Sequence, residues 1–224
     1  MLEKEITDLL LGSGVSDVGF CAVEDGPAGL GWAVSLVVAL SDAVVDEIDG
    51  APTHTYFHHY RTVNAFIDQM LLRTGLLLAG RGYRYIPVAA SQSINDKGWN
   101  YSGRYSHKKP AYLAGLGCVG TNNLFLHRRY GARVRLGTLF TDCAFDASPA
   151  LPAATPCDNC GACVAHCPAG ALTGKTFYPG ISREALFDPA ACSGYMKKHF
   201  QQIGRGSVCG ICMAVCPQNK TSNR

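Results

Sequence analysis

The sequence predicts a mixed α/β (α+β) layer over residues 1–150 and a small cysteine-rich module over residues 151–224. Three observations lead there. Trp32–Leu40 is a continuous apolar, Val-rich run of strand length, the pattern of a buried central strand. Tyr56–Ala79 puts Val63, Phe66, Ile67, Met70 and Leu71 on one helical face and stops at Gly80 and Gly82. After an Ala/Pro-rich linker at 146–156, the remaining chain holds eight of the 11 cysteines.

The other elements follow in order. Residues 2–11 space Leu2, Ile6, Leu9 and Leu10 as a short amphipathic helix, stopped near Gly12 and Gly14. Asp17–Val23 reads as a strand, 24–31 as a Gly/Pro turn, and Tyr83–Val88 as a further strand. Residues 91–106 form a polar loop whose Trp99, Tyr101 and Tyr105 supply surface for a pocket. His107–Leu116 reads as a helix, with Pro110 tolerated in its first turn. Leu124–His127 and Arg133–Thr141 read as a hairpin around Arg129-Tyr130-Gly131.

With 224 residues, 47% hydrophobic and 17% charged, the composition is globular and long enough for a sizeable core. The start, MLEKEITDLLLGSG, lacks the basic head and apolar core of a signal peptide. The uncharged stretch Gly26–Ser41 contains Gly and Pro and falls short of the roughly 20 apolar residues of a spanning helix. The expectation is a cytoplasmic chain with no membrane contact. The net charge of +3 hides an asymmetry: residues 1–50 hold ten acids and one base. Residues 97–135 hold eight bases and no acid, which suits either an anionic ligand, such as a phosphate-bearing cofactor or nucleic acid, or a plain solvated face.

Residues 157–168, CDNCGACVAHCP, carry the chemistry. Cys157, Cys160 and Cys163 are spaced to wrap three corners of a [4Fe–4S] cube, and Cys167, carried away by the next turn, must serve a second cube. That second run exists at 209–217, CGICMAVCP. Gly206 stands where its first cysteine is expected, and Cys192 is the replacement between the runs. Crossed pairing groups Cys157, Cys160, Cys163 and Cys216 as one site, and Cys167, Cys192, Cys209 and Cys212 as the other. Zinc normally takes two CxxC pairs and four ligands, and a disulfide framework needs a secreted context. Eight cysteines in two runs, each ending in Cys-Pro, point to two clusters whose binding is coupled to folding of the module.

Residues 114–142, AGLGCVGTNNLFLHRRYGARVRLGTLFTD, followed by this cysteine pattern and the lone cysteine of ACSGY (191–195), resemble the epoxyqueuosine reductase family, which shares its core with corrinoid reductive dehalogenases. The likeness is weak at the N-terminal end and strong from about residue 107 onward. It implies a nitroreductase-like sheet-and-helix domain that binds base-off cobalamin. It also implies a ferredoxin-like module passing electrons to the cobalt, an external ferredoxin- or flavodoxin-type donor, and a small-molecule or modified-nucleoside substrate. On this resemblance Gly120, Phe125 and Leu136 contact the corrin, and Asn122, Asn123 and Arg135 reach its amides. The family's proton-donor aspartate falls on Tyr101. The dehalogenases use a tyrosine in that role, although a phenol is a far weaker acid, with a pKa of roughly 10 against 4. Arg104 or Lys108 would lower it; the plainer role for Tyr101 is a loop aromatic packed on its neighbours.

The sequence departs from the family in three further ways. It ends eight residues after Cys216, without the helical-repeat region that helps full-length epoxyqueuosine reductases hold tRNA, so tRNA is the less expected partner. The segment between Cys167 and Cys192 differs from the usual length, and Cys118 replaces a common tryptophan. His107 suits a general acid, a phosphate contact or a helix cap. His54, His58 and His59 lack acidic or thiolate companions, and Cys21 and Cys143 read as core thiols. No DxHxxG lower-ligand motif, Walker loop or GxGxxG is present. The expected activity is therefore a cobalamin-dependent reductase fed by two clusters. The alternatives are a cobalamin-free electron-transfer protein and a reductive activator of a corrinoid protein.

Overall fold

The computed structural model describes residues 2–94, 96, 98, 101–146 and 157–219. The elements are α1 (Leu2–Gly12), β1 (Asp17–Ala22), β2 (Trp32–Ala39), α2 (Asp42–Asp46), α3 (His54–Gly80), β3 (Tyr85–Val88), α4 (Lys108–Leu113), β4 (Gly117–Val119), β5 (Phe125–His127), β6 (Val134–Thr141), α5 (Ala162–Ala165), α6 (Arg183–Leu186), α7 (Pro189–His199) and α8 (Ile211–Ala214). The mixed α/β class expected from the sequence is the class observed. α2 escaped the sequence reading because a five-residue helix carries too short a pattern.

The chain divides into two compact units, and they do not follow a single cut near residue 150. One comprises Met1–Ala39, Thr62–Gly117 and Arg135–Ala153; the other Leu40–Arg61, Cys118–Val134 and Ala154–Arg224. Most of the expected linker, residues 147–156, lies outside the described residues.

The first unit is built on a sheet of order β1-β2-β6-β3. β2 is central, and residues 33–38 are all buried, which is why it reads as an unbroken apolar run. Antiparallel pairing sets Gly19 opposite Ser35 and Cys21 opposite Ala33, so these four share one face. On that face Cys21, Val23, Leu30, Ala33, Val88 and Phe140 form a core joined by Tyr105, Leu113 and Ala114. On the other face α3 comes so close to β6 that a Cβ at Gly137 would lie 2.5 Å from Ile67 Cγ2. A side chain there would push the helix off the sheet.

The expected hairpin between β5 and β6 is not formed. β5 pairs with β4 in a two-stranded sheet, and β6 lies between β2 and β3. The turn residues Arg129-Tyr130-Gly131 exist, but His127 and Gly131 close the loop on themselves with reciprocal backbone bonds of 2.8 and 2.9 Å. Much of the charge asymmetry resolves into local pairs. Lys109 donates to Asp25 at 2.6 Å, Arg133 donates to Asp42 and Asp46 at 2.9 and 2.6 Å, and Arg135 donates to Asn64 at 2.9 Å. Those bases serve folding, whereas Lys97 lies outside the described residues. No helix among the described residues is long and apolar enough to cross a membrane.

Candidate metal centre

Both cysteine runs fold into the same local form, in the second unit. After Cys160 the chain turns through Gly161 (φ 76°) into α5, which carries Cys163 and releases the chain just before Cys167. After Cys209 it turns through Gly210 (φ 83°) into α8, which carries Cys212 and ends before Cys216. The left-handed glycine admits the sharp turn, and the single helical turn sends the last cysteine away from its run. α5 packs against α8, so each departing cysteine arrives at the other run. Cys192 sits on α7, started by Asp188, whose carboxylate accepts from the N–H groups of Ala190 and Ala191 at 2.9 Å, with Pro189 in the first turn.

The eight thiols stand in two groups of four. Cys157, Cys160, Cys163 and Cys216 line a narrow cavity with Thr121, Asn122, Leu126 and Gln218. Cys167, Cys192, Cys209 and Cys212 line a cavity of about 220 Å³ that extends to Tyr56, Tyr60, Leu124, Leu172, Phe187, Tyr195 and Met196. Burial pushes the Cys192 thiol up to about 12, with Cys209 and Cys167 adding to it. Burial likewise pushes Cys216 up to about 11, with Cys157, Cys163 and Cys160 adding to it. Cys212 is raised too, first by burial and then by Cys209, Cys192, Cys167 and Cys163. Crowded, desolvated thiols are the donor set that a positively charged iron core would deprotonate.

Among the described residues, no three His, Cys, Asp or Glu side chains converge on a single metal ion.

The β4–β5 turn, GTNNL, reaches both groups. Gly120 leaves no room for a side chain: a Cβ would lie 2.9 Å from Asn122 Oδ1 and from Leu126. Thr121 Oγ1 lies 3.6 Å from Cys157 Sγ and 3.5 Å from Cys163 Sγ. Asn122 accepts from Leu124 N at 3.0 Å and donates to Cys212 O at 3.4 Å. Asn123 takes the left-handed conformation (φ 57°) that its residue type tolerates and lines the larger cavity. Asn219, just beyond Cys216-Pro217, donates to Met213 O at 2.5 Å and accepts from Ala132 N at 3.0 Å, both buried.

The residues assigned to cobalamin fall into separate settings. Gly120, Asn122 and Asn123 belong to the turn beside the cysteines, and Phe125 on β5 is buried. In the first unit, Arg135 also donates to Ala90 O at 3.3 Å, and Leu136 is buried on β6. Tyr101 is half-buried with a left-handed backbone (φ 55°), and Trp99 lies outside the described residues. His107 is not an exposed acid or a cap. Its Nδ1 pairs with Thr138 Oγ1 and its Nε2 with Ala89 O, both at 3.0 Å, and it makes no cap bond to α4. Burial holds its pKa below the usual histidine value. His59 accepts from Ser41 N at 3.1 Å. A corrin's amides need uncommitted partners, and Asn122 and Arg135 are engaged within the protein.

Thr121, Asn219 and the tyrosines of the larger cavity were not singled out from the sequence. Thr121 and Asn219 each lie beside a singled-out residue, Asn122 and Cys216-Pro217 respectively; nothing local marks Tyr56 or Tyr60, about 130 residues from α7.

Residues 156–219 match the 4Fe-4S double cluster binding domain. The chain is also similar to epoxyqueuosine reductases. That of Listeria monocytogenes is 30% identical over 128 residues, covering 53% of this chain and 31% of that protein. That of Lactococcus garvieae is 33% identical over 115 residues, covering 50% and 32%. The chain thus spans about a third of the length of these curated relatives. Among solved structures, epoxyqueuosine reductase from Streptococcus thermophilus aligns over 99% of this chain and 67% of its own, with a TM-score of 0.63 and 18% identity. A catabolic reductive dehalogenase in complex with 3-bromo-4-hydroxybenzoic acid aligns over 96% and 31%, with a TM-score of 0.74 and 19% identity. At those identities the likeness is one of fold. Residues 156–219 thus carry the double-cluster pattern, in a chain that is similar to epoxyqueuosine reductases and shares the fold of these solved structures.

Proposed function

We propose that the chain is an oxidoreductase in which Cys157, Cys160, Cys163 and Cys216 hold one [4Fe–4S] cluster and Cys167, Cys192, Cys209 and Cys212 hold the other. Electrons taken from an external one-electron donor leave to an acceptor, which the resemblance to epoxyqueuosine reductases makes a base-off cobalamin acting on a small molecule or modified nucleoside. The single observation that supports the reading is the division of the eight thiols between two cavities. Once bound, the clusters supply reversible one-electron chemistry and cobalamin a cobalt acceptor.

The chain's own residues do the rest. α5 and α8 bring each departing cysteine to the other run. Leu172, Phe187 and Met196 limit water at the larger cavity, which lowers the dielectric around charge held there. Tyr101 is the residue proposed to give a proton to the substrate.

A second reading, a cobalamin-free electron-transfer protein, is favoured by one observation: Asn122, Arg135 and both nitrogens of His107 are already bonded within the protein. Anaerobic reconstitution separates the two. Iron is counted, cobalamin is added, the protein is desalted, and its visible spectrum is recorded. About eight irons and a co-eluting base-off corrinoid are expected. About eight irons without corrinoid selects the second reading, and about four irons or fewer overturns both.

A further inference from the structure

The turn that joins β4 to β5 places one buried hydroxyl between two sulfurs of the same quartet. Thr121 is 5% exposed, and its Oγ1 is 3.6 Å from Cys157 Sγ and 3.5 Å from Cys163 Sγ. A cysteine bound to iron has no proton, so at a loaded site the hydroxyl is the donor and the sulfurs share its one hydrogen. The turn has hydrogen bonds of its own. Asn122 closes it locally on Leu124 N and ties it to Cys212 O, and Gly120 removes the side chain that would collide with Asn122.

The other quartet is set differently. Among the described residues its sulfurs meet backbone N–H groups alone, that of Ala171 at 3.4 Å from Cys167 Sγ and that of Ile211 at Cys209, as the Gln218 N–H meets Cys216 in the first quartet, and its wall is largely aromatic and aliphatic. Solvent exposure differs in the same direction. Cys160 of the first quartet is exposed, although Cys163 beside Thr121 is buried, whereas all four cysteines of the second are half-buried.

We propose that Thr121 is a positioning residue that sets the order of reduction, its hydroxyl making the cluster of Cys157, Cys160, Cys163 and Cys216 the first to accept an electron. This rests on the double-cluster reading above. Each cluster takes one electron from the external donor, no bond forms or breaks, and Thr121 keeps its proton. The added negative charge spreads onto the sulfurs. A hydrogen bond donated to them, and water at Cys160, stabilise the reduced state more than the oxidised one and so raise the potential. The aromatic wall offers the second cluster less of that help.

The test is a potentiometric titration, followed by electron paramagnetic resonance, of the full chain carrying both clusters and reduced with dithionite. Wild-type protein is compared with Thr121→Val, Thr121→Ser and Cys160→Ser; the last replaces one sulfur ligand of the first cluster by oxygen and so marks its couple. Thr121→Val is expected to lower the midpoint of the marked, higher couple, moving its oxidised-to-reduced ratio by about three- to tenfold at fixed potential, where tenfold is 59 mV for one electron. Thr121→Ser restores it, and the other couple stays in place. Unmoved midpoints with about eight irons present, or movement of the couple that Cys160→Ser leaves alone, overturn the proposal. A Val variant that loses iron is replaced by Thr121→Ala with the same two readings. Iron loss in both also overturns it, because Thr121 is then needed to build the site and not to order the electrons. Wild-type protein that never holds both clusters overturns the double-cluster reading instead.

Discussion

Cys160-Gly161-Ala162-Cys163 and Cys209-Gly210-Ile211-Cys212 are the same local device in two surroundings. Both turn on a left-handed glycine into a four-residue helix. At the first, a Cβ on Gly161 would meet nothing within 4 Å, and Cys160 is exposed. At the second, a Cβ on Gly210 would lie 2.8 Å from Ile48 Cδ1 and 3.0 Å from Tyr56. One site has an exposed edge at Cys160 and is backed by the β4–β5 turn and Leu126; the other is walled by α3, α7 and the same turn. A repeated motif thus sets what is bound, while its surroundings set how tightly and at what potential.

The sharpest way to break this comparison is to remove one thiol from each site. Cys212→Ala is expected to lower bound iron from about eight to about four per chain and to loosen the second unit, because metal binding and folding are coupled. Near-UV circular dichroism and iron analysis check it. Cys160→Ala, at the exposed site, is expected to leave the signal of the walled site intact. Equal collapse in both variants would show one cooperative centre instead of two unequal ones.

Smaller effects sharpen the contrast. Gly210→Ala combines backbone strain with collisions and is expected to cost about 2–3 kcal/mol, whereas Gly161→Ala, with strain alone, is expected to cost about 1 kcal/mol. Denaturant titration of the loaded protein reads both, and a cost for Gly161→Ala equal to or above that for Gly210→Ala would contradict the difference in surroundings. Asn219→Ala removes two buried hydrogen bonds and strands Ala132 N and Met213 O. It is expected to cost about 2 kcal/mol. The smallest effect is kinetic. Under a chelator with mild oxidation, the exposed site is expected to bleach severalfold faster than the walled one, followed by the loss of its resonance signal; the opposite order would reverse the assignment of the two environments.

Particular residues show how much was legible. The strand Trp32–Leu40 announced itself because burial on both faces makes every residue but Ser35 apolar, and β2 runs Trp32–Ala39. The long helix was legible from its apolar face, with its start two residues earlier than read, at His54. The β5–β6 hairpin was misread because turn residues report a local bend and not which strand lies alongside. Polar positions fared worst. Asn122, Asn123, Arg135 and His107 look available in a sequence, and spacing says nothing about Cys212 O, Asn64 or Thr138, each more than 30 residues distant.

What the sequence determined by itself was the chemistry: eight thiols, two runs, a missing cysteine at Gly206 and a substitute at Cys192. That information is local, because ligand spacing on a tight turn is fixed by a few consecutive dihedral angles. Only the tertiary structure decided that residues 40–61 and 118–134 pack with the cysteines and not with the sheet. It also decided that Thr121 faces two sulfurs of one site and that Tyr56, Tyr60 and Tyr195 enclose the other. Those arrangements depend on burial shared between distant segments, a property of the packed chain that no single stretch of it carries.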